Sequence, residues 1–448
     1  MKIQEKETKY LYLLIVSYIV LGIFCIYYMT ANNSLYGDGS YHLMLMLNTG
    51  KPYAFTAHRG LSHILHYGFA YAAIKCGVTS IKVIVRLFTL GHVLWIALFY
   101  GFTITFCYIR KNYKTLLITI LFFCFSLTNS SFFLNTETNI TAAWFWMCFV
   151  MIYLFHSDYK RKWFSCTLLL LLLLGLRINE YTIAFSPIML VLILQKVKQK
   201  QIILNKWWWT DIIIIILSFL NGLDGTFFHQ DISTDSLTDS LRQWAPFLWA
   251  QLVSLGILMI LLLIDAKKNL FILKCSIAMT SIAICLICVA RIKNDISAIA
   301  IMSCSVRIFN LIIPVMLAFY MMFETMLKID IDETHLFIPA NVFLVCFSVF
   351  VMINSNRFFL YTGNTNQYCK DHAGFVPRQS VNYDWRFNWG FPSIDESMIL
   401  QAYYGTEEIK CVITCDPEDP FITNFAERHN NLSKYGITIS HELLETVQ

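Results

Sequence analysis

A chain of 448 residues that is 57% hydrophobic and 14% charged, with a mean hydropathy of +0.57, lies outside the soluble range; soluble domains carry about 25% charged residues. Its net charge of +5 is no nucleic-acid footprint. The lysines and arginines fall mainly in short loops between apolar runs, where they set membrane orientation, and those runs are too long and too continuous for barrel strands.

Lys2, Lys6 and Lys9 precede the first predicted span, 10–30, and place the N-terminus in the cytoplasm. No small-residue cleavage site follows, so the span reads as a retained anchor. Directly after it comes Tyr36-Gly37-Asp38-Gly39-Ser40-Tyr41-His42, a carboxylate in a glycine turn at the outer surface. A long outer loop, 31–83, contains this turn. Further along the loop, Leu61, Ile64, Leu65, Gly68, Phe69, Ala72 and Ala73 recur at helical spacing. They predict an amphipathic helix lying in the interface, apolar side down, with His63, His66 and Tyr67 off the stripe.

Span two, 84–108, ends at Arg110, Lys111 and Lys114. Spans three, 115–128, and four, 140–155, enclose a short outer loop holding Glu137. After Lys160-Arg161-Lys162 comes an apolar run of about 33 residues. As one helix it would be about 50 Å long, too much for a core of about 30 Å. Arg177-Ile178-Asn179-Glu180 therefore reads as an outer turn between two short passages. Lys196, Lys198, Lys200 and Lys206 mark the inner side again, and Trp207-Trp208-Trp209 opens span seven as an interfacial belt. An acidic outer loop, 222–243, leads to spans eight, 244–264, and nine, 270–290. Arg291 and Lys293 follow in an outer loop. Span ten carries Arg307 near its outer end, and span eleven covers 335–353.

The expected fold is an all-α polytopic membrane protein of about eleven transmembrane helices, N-terminus in and C-terminus out. Residues 1–353 form the membrane domain. Residues 354–448 form a small extracytoplasmic α+β domain, with a helix at 393–404 and strands at 409–414 and 437–439. Cys369, Cys411 and Cys415 lie in this tail. An oxidising compartment allows one disulfide there, and three cysteines leave its pairing open.

The residues fit to carry chemistry gather on the outer side. Asp38 has His42 four positions on. Glu137 and Glu180 each sit in a different outer turn. Outer cations are scarce, so Arg177, Arg291 and Arg307 stand out as grips for a phosphate, whose oxygens match the planar guanidinium. His58 and Arg59 are candidates for an anionic donor. The bland alternatives are a turn aspartate at 38 and arginines that only reach for lipid headgroups. His42, His58, His63 and His66 are imidazoles for a divalent cation, with Asp38 as a carboxylate beside them, but no motif links them as a ligand set, and no metal ligand is assigned.

This layout resembles the GT-C superfamily of membrane glycosyltransferases, which includes protein O-mannosyltransferases and aminoarabinose transferases. Asp38 matches the acidic residue those families place after the first span. Glu137 matches a second acidic position between spans three and four. The likeness covers the first 180 residues best. Asp38 lacks the adjacent acidic partner of many members, and the absence of a WWD-type motif sets the chain apart from oligosaccharyltransferases. In size and form the chain is similar to bacterial O-antigen and lipopolysaccharide glucosyltransferases. The resemblance implies inverting hexosyl transfer from a polyprenyl-phosphate sugar to a cell-envelope glycan or lipid-linked acceptor. The site would lie on the outer face of a bacterial cytoplasmic membrane. Asp38 and Glu137 would be catalytic, and His42, His58, Arg59, Arg177, Glu180, Arg291 and Arg307 would bind substrate. Membrane lipids are the expected surroundings, no nucleic acid is expected as a partner, and a divalent cation is an alternative role for Glu137. The competing expectation is a transporter or flippase of a lipid-linked precursor.

Overall fold

The computed structural model describes residues 2–36, 38–51, 59–130, 137–155, 162–227, 310–311, 313–322, 325, 333–381, 393–414, 422, 425, 429 and 431–445. At 2–4, 38, 128–130, 162, 226–227 and 335 it describes the backbone alone. The helices are α1 (Lys2–Thr30), α2 (Asp38–Thr49), α3 (Gly60–Lys75), α4 (Ile81–Ile109), α5 (Tyr113–Ser130), α6 (Glu137–Tyr153), α7 (Lys162–Gly175), α8 (Thr182–Lys198), α9 (Lys206–Phe227), α10 (Ile313–Met322) and α11 (Thr334–Asp371). Then follow β1 (Gly374–Pro377), α12 (Ser393–Tyr403), β2 (Cys411–Thr414) and α13 (His441–Glu445).

The architecture is that of a helical membrane protein. Among the described residues, Glu5–Thr30, Ile81–Ile109, Lys206–Gly225 and Leu336–Asp371 are long and apolar enough to cross a bilayer. Tyr113–Leu127, Trp163–Gly175 and Ile313–Met322 are shorter apolar helices. The stretch 163–195 forms two helices separated at 176–181, as its length requires. Spans eight and nine lie outside the described residues.

Burial sorts the helices. α1 turns Tyr12, Ile19 and Ile26 outward, a face suited to lipid. α6 is buried on every side from Thr138 to Ile152, as expected of a helix apolar all round. Its two tryptophans keep their indole N–H groups satisfied, Trp144 on the Leu171 carbonyl at 2.6 Å and Trp146 on Thr119 Oγ1 at 3.1 Å. Gly175 makes room for Trp144, since a Cβ there would lie 2.3 Å from the indole.

The bundle has two chemically distinct ends. At one, Lys6 pairs with Glu333, Lys111 pairs with Glu7, and Tyr10 stacks on Tyr113 with ring centroids 4.1 Å apart. This end gathers the N-terminus, the α4–α5 turn and the start of α11. At the other, Tyr36 meets Phe358 and Tyr361 edge-on, and the Leu61 amide donates to the Arg177 carbonyl at 3.0 Å.

α11 runs through residue 353 without a break and ends at Asp371. The domain boundary expected at 353/354 thus falls inside a helix. Beyond it, β1 and β2 pair in parallel, Gly374 opposite Cys411 through Pro377 opposite Thr414, with α12 between them in sequence. Ile409 bridges Ile439 in parallel. A single buried cluster joins Met398, Leu400, Val412, Phe425 and Ile437 to Leu43, Leu47, Tyr67, Ile84 and Phe88 of α2, α3 and α4.

Candidate functional site

α6 delivers Glu137. The helix is fixed in the middle of the bundle and Glu137 is its first residue, where the positive end of the helix dipole favours a carboxylate. α3 delivers Arg59, the residue before its first turn. The Arg59 carbonyl accepts from Ser62 Oγ at 2.8 Å and from the His63 amide at 3.1 Å, and the Leu61–Arg177 bond ties this turn to the one after α7. That second turn delivers Glu180. Asn179 Oδ1 accepts the Tyr181 amide at 3.0 Å, and Thr182 Oγ1 donates to the Asn179 carbonyl at 3.0 Å. α9 presses on it through Gly222, where a Cβ would lie 2.6 Å from Thr182 Oγ1.

The three meet. Arg59 donates from Nε to Glu180 Oε1 at 2.5 Å and from Nη1 to Glu137 Oε1 at 2.9 Å. All three side chains are largely buried, at 13–15% exposure. Burial works against the guanidinium charge, but Glu137 and Glu180 outweigh it and hold Arg59 more firmly protonated than in water.

A histidine cluster adjoins it. His42 Nδ1 and Tyr67 Oη are hydrogen-bonded at 2.5 Å. His42 and His63 lie 6.3 Å apart by ring centroids, and His66 stacks on His92 at 4.5 Å. The stack depends on Gly91, because a Cβ there would sit 1.9 Å from the His66 carbonyl oxygen. Burial, helped by the nearby His63, pushes His42 down to about 3 even though Glu137 pulls the other way. Burial, then His92, drives His66 well below the ordinary imidazole range. Both rings are therefore neutral near pH 7, suited to hydrogen bonding as uncharged imidazoles rather than to act as cations. Among the described residues, no three His, Cys, Asp or Glu side chains converge as a metal-ligand set.

The expected site residues fall into three groups. Arg59, Glu137 and Glu180 form one cluster, and His42 lies beside it. Residue 38 is the first of α2, one turn before His42, so its backbone belongs to the same corner. Arg177 is exposed, and it is its carbonyl that holds α3. His58, Arg291 and Arg307 lie outside the described residues.

Sequence reading placed Arg59 toward an anionic donor, yet in the structure its guanidinium faces two carboxylates. It also placed His63, His66 and Tyr67 off the apolar stripe of α3. They are buried, while Ile64 on the stripe is 61% exposed. His66 and Tyr67 face α4 and α2, while of the stripe Ile64 and Ala72 are exposed, Leu61, Gly68 and Phe69 are half-buried, and Leu65 and Ala73 are buried. His92 was missed. Its one signal was an imidazole inside an apolar span.

No family model, no curated protein and no solved structure matches the chain.

Proposed function

We propose that the protein is an integral-membrane glycosyltransferase. It moves a sugar from a polyprenyl-phosphate donor to a cell-envelope glycan or lipid-linked acceptor at the Arg59 end of the bundle. That end faces the periplasm or exterior of a bacterial cell. The supporting observation is the concentration of buried polar chemistry, Arg59 with Glu137 and Glu180 and then His42, at one end of an apolar bundle and beside the first residue of α2.

In this reading Asp38 takes the proton from the acceptor hydroxyl as its oxygen attacks the anomeric carbon. The bond from that carbon to the phosphate oxygen breaks with inversion, and the polyprenyl phosphate leaves with its pair of electrons. Arg177, Arg291 or Arg307 stabilises that phosphate. Glu137 positions the acceptor, and Arg59 holds Glu137 in place. The test compares envelope glycan masses in a deletion strain complemented with wild type or Asp38→Asn at matched protein levels. A hexose-sized loss in the deletion, restored by wild type and reduced on the order of 100-fold or more by the variant, is expected. Equal restoration by Asp38→Asn would remove Asp38 as the base.

A second reading, transport or flipping of a lipid-linked precursor, draws on Asp211, which is 2% exposed within α9. Buried ionisable groups in membrane helices mark ion and substrate paths. An unchanged glycan in the deletion, together with precursor accumulation that Asp211→Asn fails to relieve, would favour it.

A further inference from the structure

Two of the three tail cysteines meet. Cys369 lies in the last turn of α11, and Cys411 is the first residue of β2. The parallel register sets Cys411 opposite Gly374, which brings β2 back beside the end of that helix. Both side chains are buried, Cys369 at 2% and Cys411 at 0%, in a small cluster with Val381 and Ile413. Inside it the two residues pack together as free thiols. The other two members of the cluster, Val381 and Ile413, are apolar. Two cysteines far apart in sequence that share one small buried cluster meet the first requirement for a disulfide, proximity.

We propose that Cys369 and Cys411 are joined by a disulfide that fastens the end of α11 to β2. The proposal is independent of sugar transfer. It needs only that this end of α11 lies in an oxidising compartment, since cytoplasmic thiols stay reduced. The oxidant is a disulfide-bearing thiol oxidase of that compartment. Cys411 as thiolate attacks one oxidant sulfur, and the other leaves as a thiolate. Cys369, its proton lost to solvent, attacks the Cys411 sulfur of the mixed disulfide and releases the oxidant sulfur that Cys411 had attacked. Two protons and two electrons leave the protein, and the oxidant disulfide becomes a dithiol. The sulfurs are buried in the folded chain, so the bond forms during folding and is afterwards shielded from reductants.

The test uses full-length protein from membranes blocked with N-ethylmaleimide at lysis. Non-reducing digestion and mass mapping should find the Cys369 and Cys411 peptides joined, about 2 Da lighter than the reduced pair. Dithiothreitol should leave the link intact in folded protein and break it once the protein is unfolded. Cys369→Ser and Cys411→Ser should each lower Tm by on the order of 5 °C, and the double variant should fall no further. Cys415→Ser should change neither link nor Tm. Alkylation of both Cys369 and Cys411 at lysis, or a link from either to Cys415, would overturn the pairing.

Discussion

Arg59 donates from two edges of one plane, and each bond ends on a different carboxylate. Lysine carries a single charged point and cannot span both at once. Arg59→Lys should therefore lose stability nearly as Arg59→Ala does. Arg59→Ala removes the guanidinium that both carboxylates accept from in a largely buried corner, and the cost should be about 3 kcal/mol. Thermal unfolding in detergent measures it. Adding Glu137→Gln should recover part of the loss, and strictly additive effects would argue that the pair is uncoupled.

The depressed His42 predicts a pH effect of defined sign. Its folded value is about 3, against about 6.5 for an unfolded histidine. Between those values the unfolded chain binds the extra proton, so stability rises with pH from about 3 to 6.5 and levels off above. His42→Gln should flatten the rise of Tm between pH 4.5 and 6.5. An unchanged slope would assign the effect to other groups. Little of this corner was legible in sequence as an arrangement. Glu137 and Glu180 stood out because acids are scarce in apolar chains, but their partner Arg59 lies 78 and 121 residues away. Periodicity reports only neighbours within a few turns, so the pairing could not be read.

At the scale of elements, hydropathy carried far more. The spans at 10–30, 84–108 and 335–353 all fall within α1, α4 and α11, and the helix expected at 393–404 is α12. Local pattern suffices there because each element is set by its own apolar content. It failed where the partner decides the outcome. α3 showed a regular apolar stripe, yet it buries His63, His66 and Tyr67 from off that stripe while leaving Ile64 exposed. α4 explains that choice, since Gly91 lets the backbone of α3 come close enough for His66 to stack on His92. Gly91→Ala should force the two helices apart and cost about 2 kcal/mol. It should also lower the proposed transfer activity by loosening the turn at Arg59. Gly68→Ala, on the same pair of helices but with open space around it, should be nearly silent.

Across the whole molecule, charge pattern and packing divide the same residues between the two ends. Lys6, Lys111 and Glu333 gather at one, and Arg59, Glu137 and Glu180 at the other. The basic turn at 110–114 predicts that the first end is cytoplasmic. Cys76 is exposed in the turn between α3 and α4, and Lys111 is exposed at the opposite end of α4. A membrane-impermeant maleimide applied to intact cells should label wild type more than Cys76→Ser, the difference being residue 76. Lys111→Cys should gain label only after the cells are opened. The reverse pattern would invert the protein and move the proposed site into the cytoplasm.

The unbroken passage of α11 through residue 353 has a practical consequence for anyone who divides this chain. A cut at the end of the apolar stretch would sever a helix in mid-run. It would also strip α2 and α3 of Met398, Leu400 and Phe425, leaving Leu43, Leu47 and Tyr67 bare to water. The released piece would begin with an orphaned half-helix and its own naked apolar side. Neither fragment should behave as an autonomous unit. Both are expected to precipitate when made separately, and to dissolve and reassociate when made together.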